Sequence, residues 1–356
     1  MDRYDFLARS ISRVKSSIGS LYSGVQNSLN HKISRANANH LRSEVVRFRN
    51  GKQIVDKKLK KRIKEYSSDR FGTPDYWPWL AYYTEMRGEF LEGWLPIDYY
   101  RFSLLPNWNQ LSEVSLYKTY DYQLFGEFAV KPIAVKISGR WYDADYEPIS
   151  EIHLSEKLRE HGDEFVIKSD GGRGGHDTKF VAIDKFNADV LDSNFNYVIQ
   201  PAIKQHDEMA LFSGNSVNTI RVVTFRTDKG SLKPVLTYIR FGRGESRVDN
   251  INSGGLYANI DSSGFICSNA YQGMGLITEE KHPEHGFAYK GIKIPGFAKT
   301  VENCLTAHRR FPFTRIIGWD ICVETTGEAR LLEWNARRPT IRTMEPLFGP
   351  HFKGLI

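Results

Sequence analysis

Two runs near the C-terminus, RIIGWDICVE and ARLLEWNAR, are apolar enough to lie in a sheet, yet each carries a carboxylate near its middle. Thr326-Gly327 lies between them and reads as a two-residue hairpin turn. A turn centred there sets Asp320 directly opposite Glu333, and the two-residue period of a strand puts Asn335 on the same face as Glu333. Facing carboxylates repel in a partly buried sheet, so the pairing requires a cation or a proton. Two carboxylates and an amide oxygen are hard donors, which suits Mg²⁺ with waters and substrate phosphates in its remaining positions. A register one or two residues away would leave the same carboxylates solvated, and the sequence alone leaves both arrangements open.

A second segment, FVIKSDGGRGGHD, delivers Lys168 from an apolar run into a loop containing Gly171, Gly172, Gly174 and Gly175. Glycines let successive backbone N–H groups approach a phosphate, and a lysine adds a point charge. The spacing fits neither a Walker A loop nor a dinucleotide fingerprint. The same glycines also suit a flexible hairpin tip. In NTIRVVTFR, Arg221 projects from a strand otherwise lined with Ile and Val, so it needs an anionic partner, either a structural carboxylate or a phosphate. Arg240 and Arg243 extend the cationic side, with Asp249, Asn250 and Gly254-Gly255 in a polar loop beside them.

Competing chemistries find no support. His206, His282 and His285 lack a zinc-enzyme spacing, and no Gly-x-Ser-x-Gly is present. Cys267, Cys304 and Cys322 show no metal-ligand spacing, and their odd count fits a reduced compartment. The chain shows neither a secretory signal nor a run long enough to span a membrane, so a cytoplasmic location is expected.

Charge is unevenly placed. Residues 1–65 hold 16 Lys and Arg against 5 Asp and Glu, and the remainder holds 33 against 37. The net charge of +7 therefore belongs to an N-terminal arm, which argues against a nucleic-acid-binding core. Within that arm Tyr4, Leu7, Ile11, Val14, Ile18 and Leu21 recur at helical spacing. Such a stripe packs on the body, pairs in a homodimer, or lies on an anionic membrane at its inner face. Lys57, Lys58, Lys60, Lys61, Arg62 and Lys64 read as a solvated helix face.

Strands are expected at 165–168, 179–184, 197–203, 218–226, 233–243, 256–261, 264–271, 315–324 and 329–336, with a late helix at 299–311. This pattern predicts an α+β fold dominated by antiparallel sheet. Four regions follow: a basic helical arm over 1–70, a connecting helical and aromatic layer over 71–115, a subdomain with the glycine-rich loop over 116–203, and a subdomain with the carboxylate pair over 204–356.

Taken in order, FVIKSDGGRGG, VIQPAIKQH, NSVNTIRVVT, VDNINSGGLYANID, HPEHGFAYKGIKIPGF and IGWDICVETTGEARLLEWNARRP resemble the ATP-grasp superfamily, and within it the sugar-transfer associated family. The resemblance runs from about residue 70 to the C-terminus. It implies a fold of two α+β subdomains gripping ATP, preceded by a helical region. It implies that Lys168 and Lys118 contact phosphates, that Gln200, Pro201, Ala202 and Ile203 form the hinge strand at the adenine edge, and that Asp207 or Glu208 meets the ribose. By the same likeness Arg221 steadies the transferred phosphoryl group, and Asp320, Glu333 and Asn335 hold one or two Mg²⁺ ions, with Mn²⁺ able to substitute; Arg240 is a further candidate for nucleotide contact. Gln-Pro stands in the hinge where many relatives carry Glu. Asp249, Asn250, Arg337 and Arg338 are the candidates for substrate contact. The expected activity is an ATP-dependent carboxylate–amine ligase working through an acylphosphate on a sugar or sugar-linked precursor of a surface polysaccharide. Phosphoryl transfer to a hydroxyl and a non-catalytic nucleotide-binding scaffold at the membrane are the alternatives.

Overall fold

The computed structural model describes residues 27–171, 178–192, 194–213, 215–251 and 254–356, so the apolar stripe from Tyr4 to Leu21 lies outside the described residues. The chain divides into two compact units. One runs up to Asn107 and takes in Ile341–Gly354; the other is Trp108–Thr340 with the last two residues. The division thus falls after Asn107, and a late segment returns to the first unit.

The first unit is helical, with helices over 27–48, Lys57–Phe71 and Trp77–Arg87. Asp56 caps the second by accepting from the Leu59 amide at 2.7 Å, and Gly72 ends it with φ of 77°. Lys60 and Lys64, one turn apart, lay their ammonium groups 4.4 and 5.5 Å from the centre of the Trp77 ring, so part of the basic cluster covers an aromatic surface. Every residue from Pro78 to Met86 is buried, and Trp79, Tyr82, Tyr83 and Trp94 make this aromatic stretch a core. Glu85, fully buried, accepts from Arg42 and from the amides of Ile54 and Val55. Glu345 accepts from the amides of Leu95 and His351 at 3.1 and 3.0 Å with no ion pair among the described residues, and burial pushes its carboxyl up to about 8.

The second unit holds two antiparallel sheets. The smaller contains β1 (Ala134–Ile137), β2 (Arg140–Tyr142), β3 (Glu164–Ser169), β4 (Thr178–Ala182) and β5 (Tyr197–Pro201) in the order β2-β1-β5-β3-β4. The helix Glu151–Glu160 covers it, burying Leu154 and Leu158 against Phe165, Ile167 and Ile199. The larger contains β6 (Ile220–Arg226), β7 (Leu232–Phe241), β8 (Leu256–Asn259), β9 (Ala270–Gln272), β10 (Ile277–Glu279), β11 (Ile316–Val323) and β12 (Ala329–Asn335) in the order β10-β9-β8-β7-β6-β11-β12. Ile220, Val222, Ile239, Trp319 and Ile321 form its core with Cys304 and Ala307 of the helix Phe297–Arg309. Alternation then turns Arg221, Tyr238 and Asp320 to the opposite face.

The α+β fold matches expectation, with corrections in detail. Expected strand 264–271 is reduced to Ala270–Gln272, and β1, β2 and β10 were not foreseen. The late helix starts directly after Gly296, whose φ of 62° suits glycine, two residues earlier than expected. The β11–β12 turn is not the expected two-residue type. Glu324 donates its amide to the Glu328 carbonyl, Gly327 donates to Glu324, and Gly327 has φ of 84°, leaving Thr325, Thr326 and Gly327 as a three-residue loop. Pairing therefore begins one residue out of step, with Val323 opposite Ala329. A bulge then leaves Leu332 without a partner and restores the step, so Asp320 does lie opposite Glu333.

Candidate active site

Across the larger sheet Glu333, Asp320, Arg221 and Tyr238 are successive register partners on one row. Arg221 grips Asp320 with a bidentate fork: Nε bonds Oδ1, and Nη2 bonds Oδ2 at 2.8 Å. Arg240 places Nη2 3.4 Å from the same Oδ2, with its Nε 3.5 Å from Asp249. Asp249 is itself fixed by the Thr219 amide at 2.7 Å. Burial would push the Asp320 carboxyl up, but Arg221 and Arg240 more than reverse this and hold it below the usual carboxylate range. Arg221 has the converse balance: burial works against its charge and Asp320 overcomes it. Gly318 makes room for the fork, because a Cβ there would stand 3.0 Å from Arg221 Nη1. Of the two partners open to Arg221 from sequence, the structure supplies the carboxylate.

Lys168 arrives from the smaller sheet and Lys118 from a short helical turn, Lys118–Tyr120. Lys168, near the end of β3, donates to the carbonyl of Leu332, the bulged residue of β12, at 3.2 Å. Burial lowers its pKa, Glu333 opposes that shift, and neighbouring Lys118 adds to it. Lys118 donates to the Ser169 carbonyl at 3.3 Å. Fifty residues separate the two lysines, and Asp170 brings them together. It accepts from the Thr119 amide at 3.0 Å, the Thr119 hydroxyl at 2.9 Å and Asn196 at 3.1 Å, while Gly171 donates to Leu116.

Asp121 belongs to this site although sequence reasoning missed it. It is buried and accepts from Trp334 Nε1 at 2.8 Å. Burial pushes its carboxyl up to about 7 despite that bond and both lysines, with Glu333 adding to the rise. Its only sequence signal is its place three residues after Lys118, on the next helical turn.

The remaining candidates are distributed around this centre. Gln200 is held in β5 by its bond to the Val130 carbonyl at 3.1 Å, and the ladder stops at Pro201, so Ala202 and Ile203 leave the sheet. Asp207 and Glu208 are exposed in the first turn of the short helix Asp207–Ala210. Gly171 follows the Asp170 anchor with φ of 76°; Gly172, Gly174 and Gly175 lie outside the described residues. Asn335 accepts from the Arg338 amide at 2.9 Å, Arg337 pairs with Glu113 at 2.9 Å, and Arg338 is exposed. The Asn250 carbonyl accepts from Gly255, where any Cβ would meet the Asp249 carbonyl at 2.6 Å.

Two groupings bear on metal binding. The Glu333 side chain makes no hydrogen bond or ion pair among the described residues and faces Asp320 across the ladder, so the donor set fits a hard cation once the Arg221 fork gives way. His282, Glu284 and His285 also offer ligand atoms within 4.8 Å of one another. There, however, His282 Nδ1 accepts from the amides of Glu284 and His285, which fixes the proton on Nε2 and makes this cluster a turn closure. Among the described residues no helix is long and apolar enough to cross a membrane.

No curated protein matches the sequence. Solved structures that resemble the chain include biotin carboxylase from Campylobacter jejuni (10% identity, 68% of this chain and 45% of that one, TM-score 0.40). The ATP-grasp ligase PsnB is another (14% identity, 66% and 54%, TM-score 0.38), as is D-alanine–D-alanine ligase from Bacillus anthracis (12% identity, 63% and 53%, TM-score 0.33). The chain spans about half the length of these structures. Residues 188–345, which supply Arg221, Arg240, Asp320 and Glu333, match the family model described as sugar-transfer associated ATP-grasp.

Proposed function

We propose that the chain is an ATP-dependent carboxylate–amine ligase acting on a sugar or sugar-linked precursor in surface-polysaccharide synthesis. The observation that carries the chemistry is the convergence of Lys118, Lys168, Arg221 and Arg240 on a row where Asp320 faces Glu333. Four cations beside two paired carboxylates suit a polyphosphate accompanied by a divalent ion. The sugar is supported by the family description alone.

In this reading Lys118 and Lys168 bind phosphate oxygens, and Arg221 and Arg240 neutralise charge on the phosphoryl group in flight. Glu333, Asp320 and Asn335 hold Mg²⁺, which supplies charge neutralisation when bound. The substrate carboxylate attacks the terminal phosphorus and ADP departs. The amine then attacks the acyl carbon, phosphate leaves with the bonding pair, and the amine gives up a proton. Positioning and charge neutralisation are the protein's share. Asp121 favours the alternative of phosphoryl transfer to a hydroxyl, since a buried carboxyl with pKa about 7 can take the proton a hydroxyl must lose. Mass analysis of products from acid and amine panels, with ADP release as the screen, decides between them. An amide with free phosphate supports the ligase, and a stable phosphate ester supports the kinase. ATP binding without turnover of any acceptor would leave the scaffold reading.

A further inference from the structure

The two carboxylates of the site are not in equivalent states. The Glu333 side chain makes no hydrogen bond or close ion pair among the described residues and meets Lys168 and Arg221 only through charge at a distance, whereas both oxygens of Asp320 are taken by the Arg221 fork and the second is also approached by Arg240. We propose that this clasp guards Asp320, making divalent-cation binding conditional on a polyphosphate that draws the arginines away. The inference rests on the nucleotide reading for its natural ligand.

The physical case begins with burial. The side chains of Arg221 and Asp320 are each 9% exposed, so neither is compensated by water if the other leaves. A cation arriving alone gains Asp320 only by stranding a buried guanidinium, and it is repelled by Arg240 and by Lys168 on the same side. A polyphosphate changes the balance because its oxygens take the guanidiniums at the moment Asp320 is released. Cation and anion binding are thereby coupled through one exchange of partners, and coupling of this kind is reciprocal. The carboxylate repulsion inherent in the Asp320–Glu333 pair is meanwhile answered by guanidinium, so the fold does not depend on the metal.

The test is a Mn²⁺ titration of the full chain without nucleotide, read by loss of the free-ion electron paramagnetic resonance signal. Wild type is expected to bind weakly, Arg221→Met about tenfold tighter or more, and Arg221→Met with Asp320→Asn no tighter than wild type. Equal affinity in wild type and Arg221→Met would overturn the guard, as would a gain that survives Asp320→Asn. If Arg221→Met does not fold, Arg240→Met, which removes only the 3.4 Å contact, carries the same comparison: a smaller gain supports the guard, and none overturns it. Calorimetric titration with ADP separates the two claims. Absence of ADP binding removes the nucleotide reading and leaves the Mn²⁺ comparison standing, while ADP binding with equal Mn²⁺ affinities removes the guard alone.

Discussion

At the scale of single residues, the site depends on side chains whose work is to hold other side chains. Asp170 carries no role in phosphate contact, yet three hydrogen bonds to Thr119 and Asn196 seat the Lys118 turn against the end of β3. Asp170→Ala is expected to raise the KM for ATP about tenfold with a smaller change in kcat, since it loosens binding rather than chemistry. Steady-state kinetics check this, and a kcat loss as large as the KM rise would contradict it. Gly318→Ala probes the other side. The added methyl presses on Arg221 Nη1 inside a buried sheet and should cost about 1–3 kcal/mol, read as a Tm lower by a few degrees. An unchanged Tm would show that the fork has slack.

At the scale of elements, the informative object is the β11–β12 hairpin. The pairing of Asp320 with Glu333 was legible in the sequence, but through two offsets that cancel. The turn has one residue more than the Thr326-Gly327 signal implied, and the Leu332 bulge shifts the register back. Alternating apolarity reveals that a strand exists and which face is buried; it does not reveal a bulge, which depends on what the freed carbonyl meets. Here it meets Lys168 from the other sheet, a contact 164 residues away in sequence. Strands lined by Val and Ile, such as β6 and β11, were readable for the same reason that their cores are unbroken. The short β9 was readable only at its first residues and β10 not at all, because turns and isolated bridges carry that stretch. Arg221 announced that it needed an anion, and only the fold decides that the anion is Asp320. Deleting Leu332 tests the bulge directly. The pairing of the flanking residues should survive, while Lys168 loses its acceptor and ATP binding weakens several-fold. Cooperative unfolding alongside nucleotide calorimetry reads both, and undiminished ATP binding would remove the bulge from the account.

At the scale of the whole molecule, the aromatic stretch after residue 70 is a buried helical core, with Ile341–Gly354 folded into the same unit. Its weak point is Glu345, whose carboxyl rises from the ordinary 4.5 to about 8 on burial. A carboxyl raised in the folded state stabilises it fully below its unfolded pKa, and that contribution is lost as pH climbs toward about 8. Wild type should therefore lose stability between about pH 5 and 8, and Glu345→Gln should flatten the slope while giving up one amide bond. Chemical unfolding across that range checks the slope, and parallel profiles would contradict it.

In the proposed function Lys168 and Glu333 serve one nucleotide site. Thermal unfolding with Mg²⁺–ATP, comparing wild type with Lys168→Ala and Glu333→Gln, tests it most directly. At about 100 times Kd the ligand should stabilise wild type by about 2.7 kcal/mol, a shift of several degrees, and the shift should shrink in both variants. No shift at concentrations well above millimolar, or an equal shift in all three proteins, would contradict the account.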